Sequence, residues 1–189
     1  MEADRNDTKR RILSAAYRLF YQQGFSRVSV DAIADLAGVT KRTIYYHFKS
    51  KDEIVAAVMD VQHLLLMEQY QKWLAPASDT PREIVVGLFS RLKDWAGSSD
   101  WLGSGFSRVS AELADMRGHP ARHAASRHKK AVEFWLADRL MAAGVTEADE
   151  LAREIVLLIE GSMGLALIHG ETGYIDSAMQ AAERLAAEL

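Results

Sequence analysis

The sequence predicts an all-α fold: an N-terminal three-helix domain built on a helix-turn-helix, followed by a larger helical body. Three observations carry this. No segment alternates apolar and polar residues at the two-residue period of a half-buried strand. Helix start and stop signals punctuate the chain from end to end. Each of the three prolines, Pro76, Pro81 and Pro120, can sit at a helix boundary, where the missing N–H costs nothing.

The first helix spans about Thr8 to Gln23, with Ile12, Ala15, Ala16, Leu19 and Phe20 on one face. Gly24 stops it, as a left-handed residue after a helix commonly does. Ser29 caps a short second helix ending near Ala37, and Thr40 caps a third running to about Phe48. "SKDE", Ser50 to Glu53, has the form of a capping box opening a long fourth helix to about Leu74. "TPRE", Thr80 to Glu83, repeats the device with proline at the first helical position. That helix stops at Gly97. A helix over about Phe106 to Met116 follows the loop "GSSDWLGSG". A long helix then runs from about 120 to Ala143 and ends at Gly144. "TEAD" from Thr146 resembles a further capping box, opening a helix to about His169. Gly170 and Gly173 precede a last helix, about Ile175 to Glu188.

With 189 residues the chain can bury a sizeable core. It has no cysteine, which excludes disulfides, thiolate metal sites and a cysteine nucleophile, and which suits a reducing cytoplasm. The charged start "MEADRNDTKRR" lacks the apolar run of a signal peptide. "IVLLIEGSMGLALI" contains Glu160 and is short for a bilayer span. The net charge of −3 is unevenly spread. Residues 1–51 hold ten Lys and Arg against five Asp and Glu, and residues 52–189 hold 13 against 21. A basic head on an acidic body points to a polyanionic partner for the head.

The stretch "SVDAIADLAGVTKRTIYYHF" reads as a helix-turn-helix. Ile33 and Leu36 are expected to face inward, Val39 to pack in the turn, and Ile44 and Phe48 to anchor the third helix. Lys41, Arg42, Thr43, Tyr46 and His47 then project outward. A helix about 10 Å across fits a major groove about 12 Å wide, its N-terminal end nearest the base edges. Arg42 can donate twice to guanine, and Lys41 can donate to guanine or phosphate. Thr43 can touch a base or a thymine methyl. The hydroxyls of Thr40, Tyr45 and Tyr46 suit phosphate oxygens, as does Lys51 at the start of the fourth helix. With Ser29, these make the expected DNA-binding set: Ser29, Thr40, Lys41, Arg42, Thr43, Tyr45, Tyr46, His47 and Lys51.

Residues 8–54, with the alanine-rich first helix, "GF", "AIADLAGV" and "TIYYHFKSK", resemble the DNA-binding domain of the tetracycline-repressor (TetR) family. The resemblance implies a homodimeric, ligand-responsive transcriptional regulator, usually a repressor, and no enzyme. It divides the chain into a DNA-binding domain, 1–51, and a ligand-binding and dimerisation domain, 52–189. It places Thr40, Lys41, Thr43, Tyr45, Tyr46, His47 and Lys51 on DNA-contact positions. Many members have a glycine where this chain has Arg42, so base preference is expected to differ there.

In the body, large adaptable side chains recur: Met59, Leu66, Met67, Tyr70, Trp73, Phe89, Trp95, Trp101, Phe106 and Met116. Such residues fill cores, and in this family some would line a cavity for a small apolar or aromatic effector. The long helices over 120–143 and 147–169 are candidates for dimerisation, and the family pairs its last long helices across a two-fold axis. The expected interface is Val132, Leu136, Leu140, Ile155, Ile159, Gly161, Ser162 and Met163. His119, His123 and His128 do not share the geometry of a metal site, and no metal or other cofactor is expected. "GSGFS" and "GSMG" do not match the G-x-S-x-G elbow of a serine hydrolase.

Overall fold

The computed structural model describes residues 2–74 and 80–187. Pro76 and Glu188, both expected at helix boundaries, lie outside these residues. The described chain is helical: α1 (Glu2–Gln23), α2 (Val30–Ala37), α3 (Lys41–His47), α4 (Lys51–Trp73), α5 (Pro81–Ala96), α6 (Gly105–Glu112), α7 (Pro120–Ala142), α8 (Ala148–His169) and α9 (Gly173–Ala187). Among the described residues there is no strand.

Most expected caps form. Thr80 accepts from Glu83 N at 3.2 Å while Glu83 Oε2 accepts from Thr80 N at 3.1 Å, a complete capping box. Ser50 accepts from Glu53 N at 3.2 Å, but Glu53 reaches one residue further back, to Lys49 N at 2.6 Å. The "TEAD" box is not made: Glu147 is the N-cap of α8 and supplies no side-chain hydrogen bond. Two helix limits also differ. α1 begins at Glu2 rather than Thr8, and α6 ends at Glu112 rather than Met116, the chain from 113 continuing in turns.

The chain forms two compact units, each drawing on two stretches of sequence. The first comprises residues 1–64 and 104–127, and the second residues 65–103 and 128–189. The unit carrying the helix-turn-helix thus extends past residue 51. It takes in the first half of α4, all of α6 and the start of α7. Its buried side chains include Ile12, Ala16 and Phe20 of α1, Ile33 of α2, Ile44 of α3, Val55 and Val58 of α4, and Phe106 and Val109 of α6. Leu36 does not face inward as expected. It is 45% exposed, because Ile33, Ala34 and Ala37 already fill the buried face of the short α2.

Two residues of α6 hold the end of α1. Arg108 Nη1 donates to Tyr21 O at 2.8 Å. Glu112 Oε2 accepts from Phe25 N, Ser26 N and Ser26 Oγ at 3.0, 3.1 and 3.2 Å. Gly24 is constrained twice over. Its φ of +79° is left-handed, and a Cβ there would sit 2.4 Å from Glu112 Oε1. Buried His119 accepts from Ala121 N at Nδ1, and its Nε2 lies 3.3 Å from Asp52 Oδ1 without hydrogen-bond alignment.

In the second unit α8 packs on α9 and α9 on α5, around a core that includes Leu88, Phe89, Leu136, Leu151 and Ile155. Lys93 donates to both oxygens of Asp176 at 2.8 Å, and Arg139 donates to Leu74 O, a free carbonyl at the end of α4. This core takes up most of the side chains expected at a dimer interface. Val132, Leu136, Leu140, Ile155, Ile159, Ser162 and Met163 are all buried within the unit; of that set only Gly161 is exposed. Apolar periodicity marks a buried face without saying which chain buries it.

Candidate nucleic-acid interface

The outer face of α2 and α3 in the first unit is built by local rules. Ser29, extended at ψ 157°, accepts from Ala32 N at 3.1 Å and starts α2. Gly38, at φ +63°, ends it in the left-handed conformation. Arg11 of α1 fixes this turn through Nη2, which donates to Ala37 O at 2.6 Å and Gly38 O at 3.1 Å. Thr40 then starts α3, accepting from Thr43 N at 3.1 Å, with 2.8 Å between the two threonine hydroxyls. Such a cap contributes about 1 kcal/mol. Ile44 and Phe48 are buried, so one side of α3 is fastened to the unit and the other is free.

On the free side Lys41, Arg42, Tyr45 and Tyr46 are exposed, Tyr46 by 67%; Thr43 and His47 are half-buried. Lys41 Nζ lies 2.9 Å from Asp31 Oδ2 of α2, and this carboxylate raises the lysine pKa. The pair is solvent-exposed and so contributes little to stability. No described acidic partner is assigned to Arg42. Tyr46 and His47 meet edge to face at 5.3 Å. Burial, and then the nearby charges of Arg5 and Lys9, hold the His47 imidazole below the ordinary histidine range. It is mainly neutral at neutral pH.

Lys51 is placed differently from the phosphate role expected of it. Its Nζ donates to Phe25 O, Ser26 O and Val28 O at 3.0, 3.3 and 3.2 Å, and lies 5.8 Å from the centre of the Phe25 ring. An ammonium has three donors, and all three are used on carbonyls of the α1–α2 connection. Lys51 therefore closes that loop. The remaining eight expected residues lie on α2, α3 or their caps. Sequence reasoning passed over Asp31, Arg108 and Glu112, and read Arg11, with Lys9 and Arg10, as a solvated or phosphate-binding arm rather than as the brace of the turn. The four-residue spacing of Arg108 and Glu112 is that of an ordinary solvated helix pair, and nothing local tells it apart from one.

The residues expected to line an effector cavity fall in both units. Met59 and Phe106 are buried in the first, and Met116 is exposed there. The others are in the second. Tyr70 stacks on Trp135 at 5.7 Å and meets Trp73 edge-on at 5.4 Å, while Trp95 and Trp101 meet edge-on at 6.3 Å. Tyr70 and Phe89 belong to the core, and Leu66, Met67, Trp73, Trp95 and Trp101 pack against it. An open cleft of about 520 Å³ lies between the loops after α5 and α8, with Trp101, Ala166, Gly170 and Thr172 in its wall. Trp101 Nε1 itself is buried without an acceptor among the described residues. Among the described residues no group of three metal-binding side chains occurs.

Comparison with known proteins bears on the same segment. Residues 12–58 match the family described as bacterial regulatory proteins, tetR family. A TetR-type transcriptional regulator of Streptomyces avermitilis is 30% identical in sequence; its solved structure superposes with a TM-score of 0.78 over 93% of this chain and 98% of that one. A TetR-family regulator of Streptomyces coelicolor shares the fold, with a TM-score of 0.83 at 23% identity over 96% of each chain. The HTH-type transcriptional regulator TtgR of Pseudomonas putida is 40% identical over 78 residues, 41% of this chain and 35% of that protein. The match thus spans about a third of the length of that curated relative.

Proposed function

Because the chain belongs to the TetR family of DNA-binding transcriptional regulators, we propose that it binds a palindromic operator as a homodimer, represses there, and is released by a small apolar or aromatic molecule. Relatives in this family are regulators and not enzymes. The observation that carries the reading is α3 itself: Ile44 and Phe48 are buried while Lys41, Arg42, Tyr45 and Tyr46 are exposed on the other side. In this reading residues 1–51 are the DNA-binding domain, Arg42 and Thr43 read bases, and Ser29, Thr40, Lys41, Tyr45, Tyr46 and His47 hold the backbone. In vitro selection from random duplexes tests it. Recovery of a palindrome with half-sites about one helical turn apart is expected; recovery of no preferred sequence counts against it.

Dimerisation is supported by an exposed stripe on α8. Leu157, Gly161, Gly164 and Ile168 follow one another at three- or four-residue steps and are all exposed. A mid-helix glycine costs about 1 kcal/mol relative to alanine. Among the described residues nothing lies within 4 Å of a Cβ built at Gly161 or Gly164, so their packing gives no reason for either. Close approach of a second copy of α8 does.

For the effector, the cleft beside Trp101 supports a small aromatic or apolar molecule. Release follows if the effector binds better to a form of the protein that DNA binds poorly, the loss of affinity being limited to that difference. α4 is the plain route, since it runs from one unit into the other. Operator affinity that is unchanged on titrating candidate aromatic effectors into a gel-shift assay would count against induction. Work on DNA implies the cytoplasm, and among the described residues no helix is long and apolar enough to cross a membrane.

A further inference from the structure

We propose that Arg5 and Lys9 of α1, which precede the segment that the family match covers, join Tyr46 and His47 of α3 in a composite site for a DNA backbone phosphate. The starting point is the register of α1. Residues 5, 9, 12, 16 and 20 recur at three- or four-residue steps and so share one face. Ile12, Ala16 and Phe20 on that face are buried, whereas Arg5 and Lys9 are exposed. The face changes from apolar to basic where α1 runs past the core, and the match to the family begins only at residue 12.

The two cations are held toward α3. The Arg5 guanidinium lies 5.1 Å from the centre of the Tyr46 ring, and Lys9 Nζ lies 5.6 Å from that of Phe48. The rest of the basic run is committed elsewhere, Arg10 to Asp7 and Arg11 to the backbone of Ala37 and Gly38. No described carboxylate pairs with Arg5 or Lys9. Two positive charges, an exposed phenol and an imidazole whose protonation these charges oppose are therefore gathered with no described anion among them. A phosphodiester supplies the negative charge and the acceptor oxygens that all four groups can use. The site flanks α3 at its C-terminal end, so it would grip backbone beside the groove that α3 enters, setting register rather than reading sequence.

The inference rests on the reading of α3 as the groove-entering helix. Its test uses the full chain, a duplex recovered by selection and a random-sequence duplex of equal length, with affinity followed by fluorescence anisotropy across a salt series. Each phosphate contact contributes about 0.9 to the slope of log K against log salt. The R5A/K9A variant is expected to flatten the slope by about 0.9 per head on both duplexes, leaving the preference between them unchanged. R5K/K9R keeps the charges and is expected to keep the slope. K72A/R91A, which removes two exposed cations of the second unit, should also leave it unchanged. Wild-type protein that binds neither duplex overturns both readings. Wild-type binding with an unchanged slope in R5A/K9A overturns this one alone. So does a loss confined to the selected duplex, which would assign the pair to base reading.

Discussion

Replacing Lys51 by methionine separates two roles for one cation. Methionine keeps most of the apolar stem and removes the three donors now bound to Phe25 O, Ser26 O and Val28 O. The Phe25 and Val28 carbonyls are part-buried, while Ser26 O is exposed and can return to water. Leaving each part-buried carbonyl unsatisfied costs about 1 kcal/mol, the lower end of the range for such groups, because solvent reaches part of each. K51M should therefore lose about 2 kcal/mol of stability, or roughly 4–8 °C in Tm for a chain of this size. Thermal and urea unfolding at fixed protomer concentration would measure it, since dimer stability depends on concentration. The salt slope of DNA binding, measured where the variant is folded, should match that of the wild type. A phosphate contact predicts the reverse: a slope flatter by about 0.9 per head with little change in Tm. That result would refute the assignment of Lys51 to loop closure.

Three further outcomes follow from the geometry. R42A should change preference at one base position, costing about 1–3 kcal/mol on the preferred sequence; equal loss on every sequence in a competition assay would reject base reading. G161A should stabilise the helix by up to about 1 kcal/mol, whereas G161L should shift the monomer–dimer equilibrium toward monomer in sedimentation; an unshifted equilibrium in G161L would remove α8 from the interface. For His47, burial first and then Arg5 and Lys9 lower the pKa in the folded protein. The unfolded chain then binds the proton more tightly. This contribution to stability is fully present above about pH 6.5 and is lost as pH falls toward the folded value. A phosphate placed among Arg5, Lys9, Tyr46 and His47 favours the imidazolium, so DNA affinity should rise as pH falls through the same window. An H47Q variant with the same pH slope as wild type would contradict this.

What could be read from the residues was mostly what depends on neighbours in sequence. Ser29, Thr40 and Thr80 cap where they were expected to because a cap needs only an amide three residues on. Gly24 and Gly38 end helices because the left-handed conformation is a property of one residue. Even local rules failed at "TEAD", where Glu147 rather than Thr146 precedes the helix. Leu36 was misplaced because α2 is only eight residues long, and its three other apolar positions already cover the buried face.

The sequence by itself determined the helices, the turn between α2 and α3, and the free face of α3. Periodicity, caps and charge asymmetry are legible without knowing where the chain goes. Tertiary structure decided the rest. It turned Lys51 inward onto carbonyls 23 to 26 residues away and joined Glu112 to amides 86 and 87 residues away. It buried Leu136, Leu140 and Ile155 within the chain and left Leu157 and Ile168 outside. An ammonium, a carboxylate or an apolar stripe has the same local signature whatever it meets. Which acceptor, donor or surface comes within reach is settled only by packing, and that is where a basic residue becomes a loop closure or a phosphate grip.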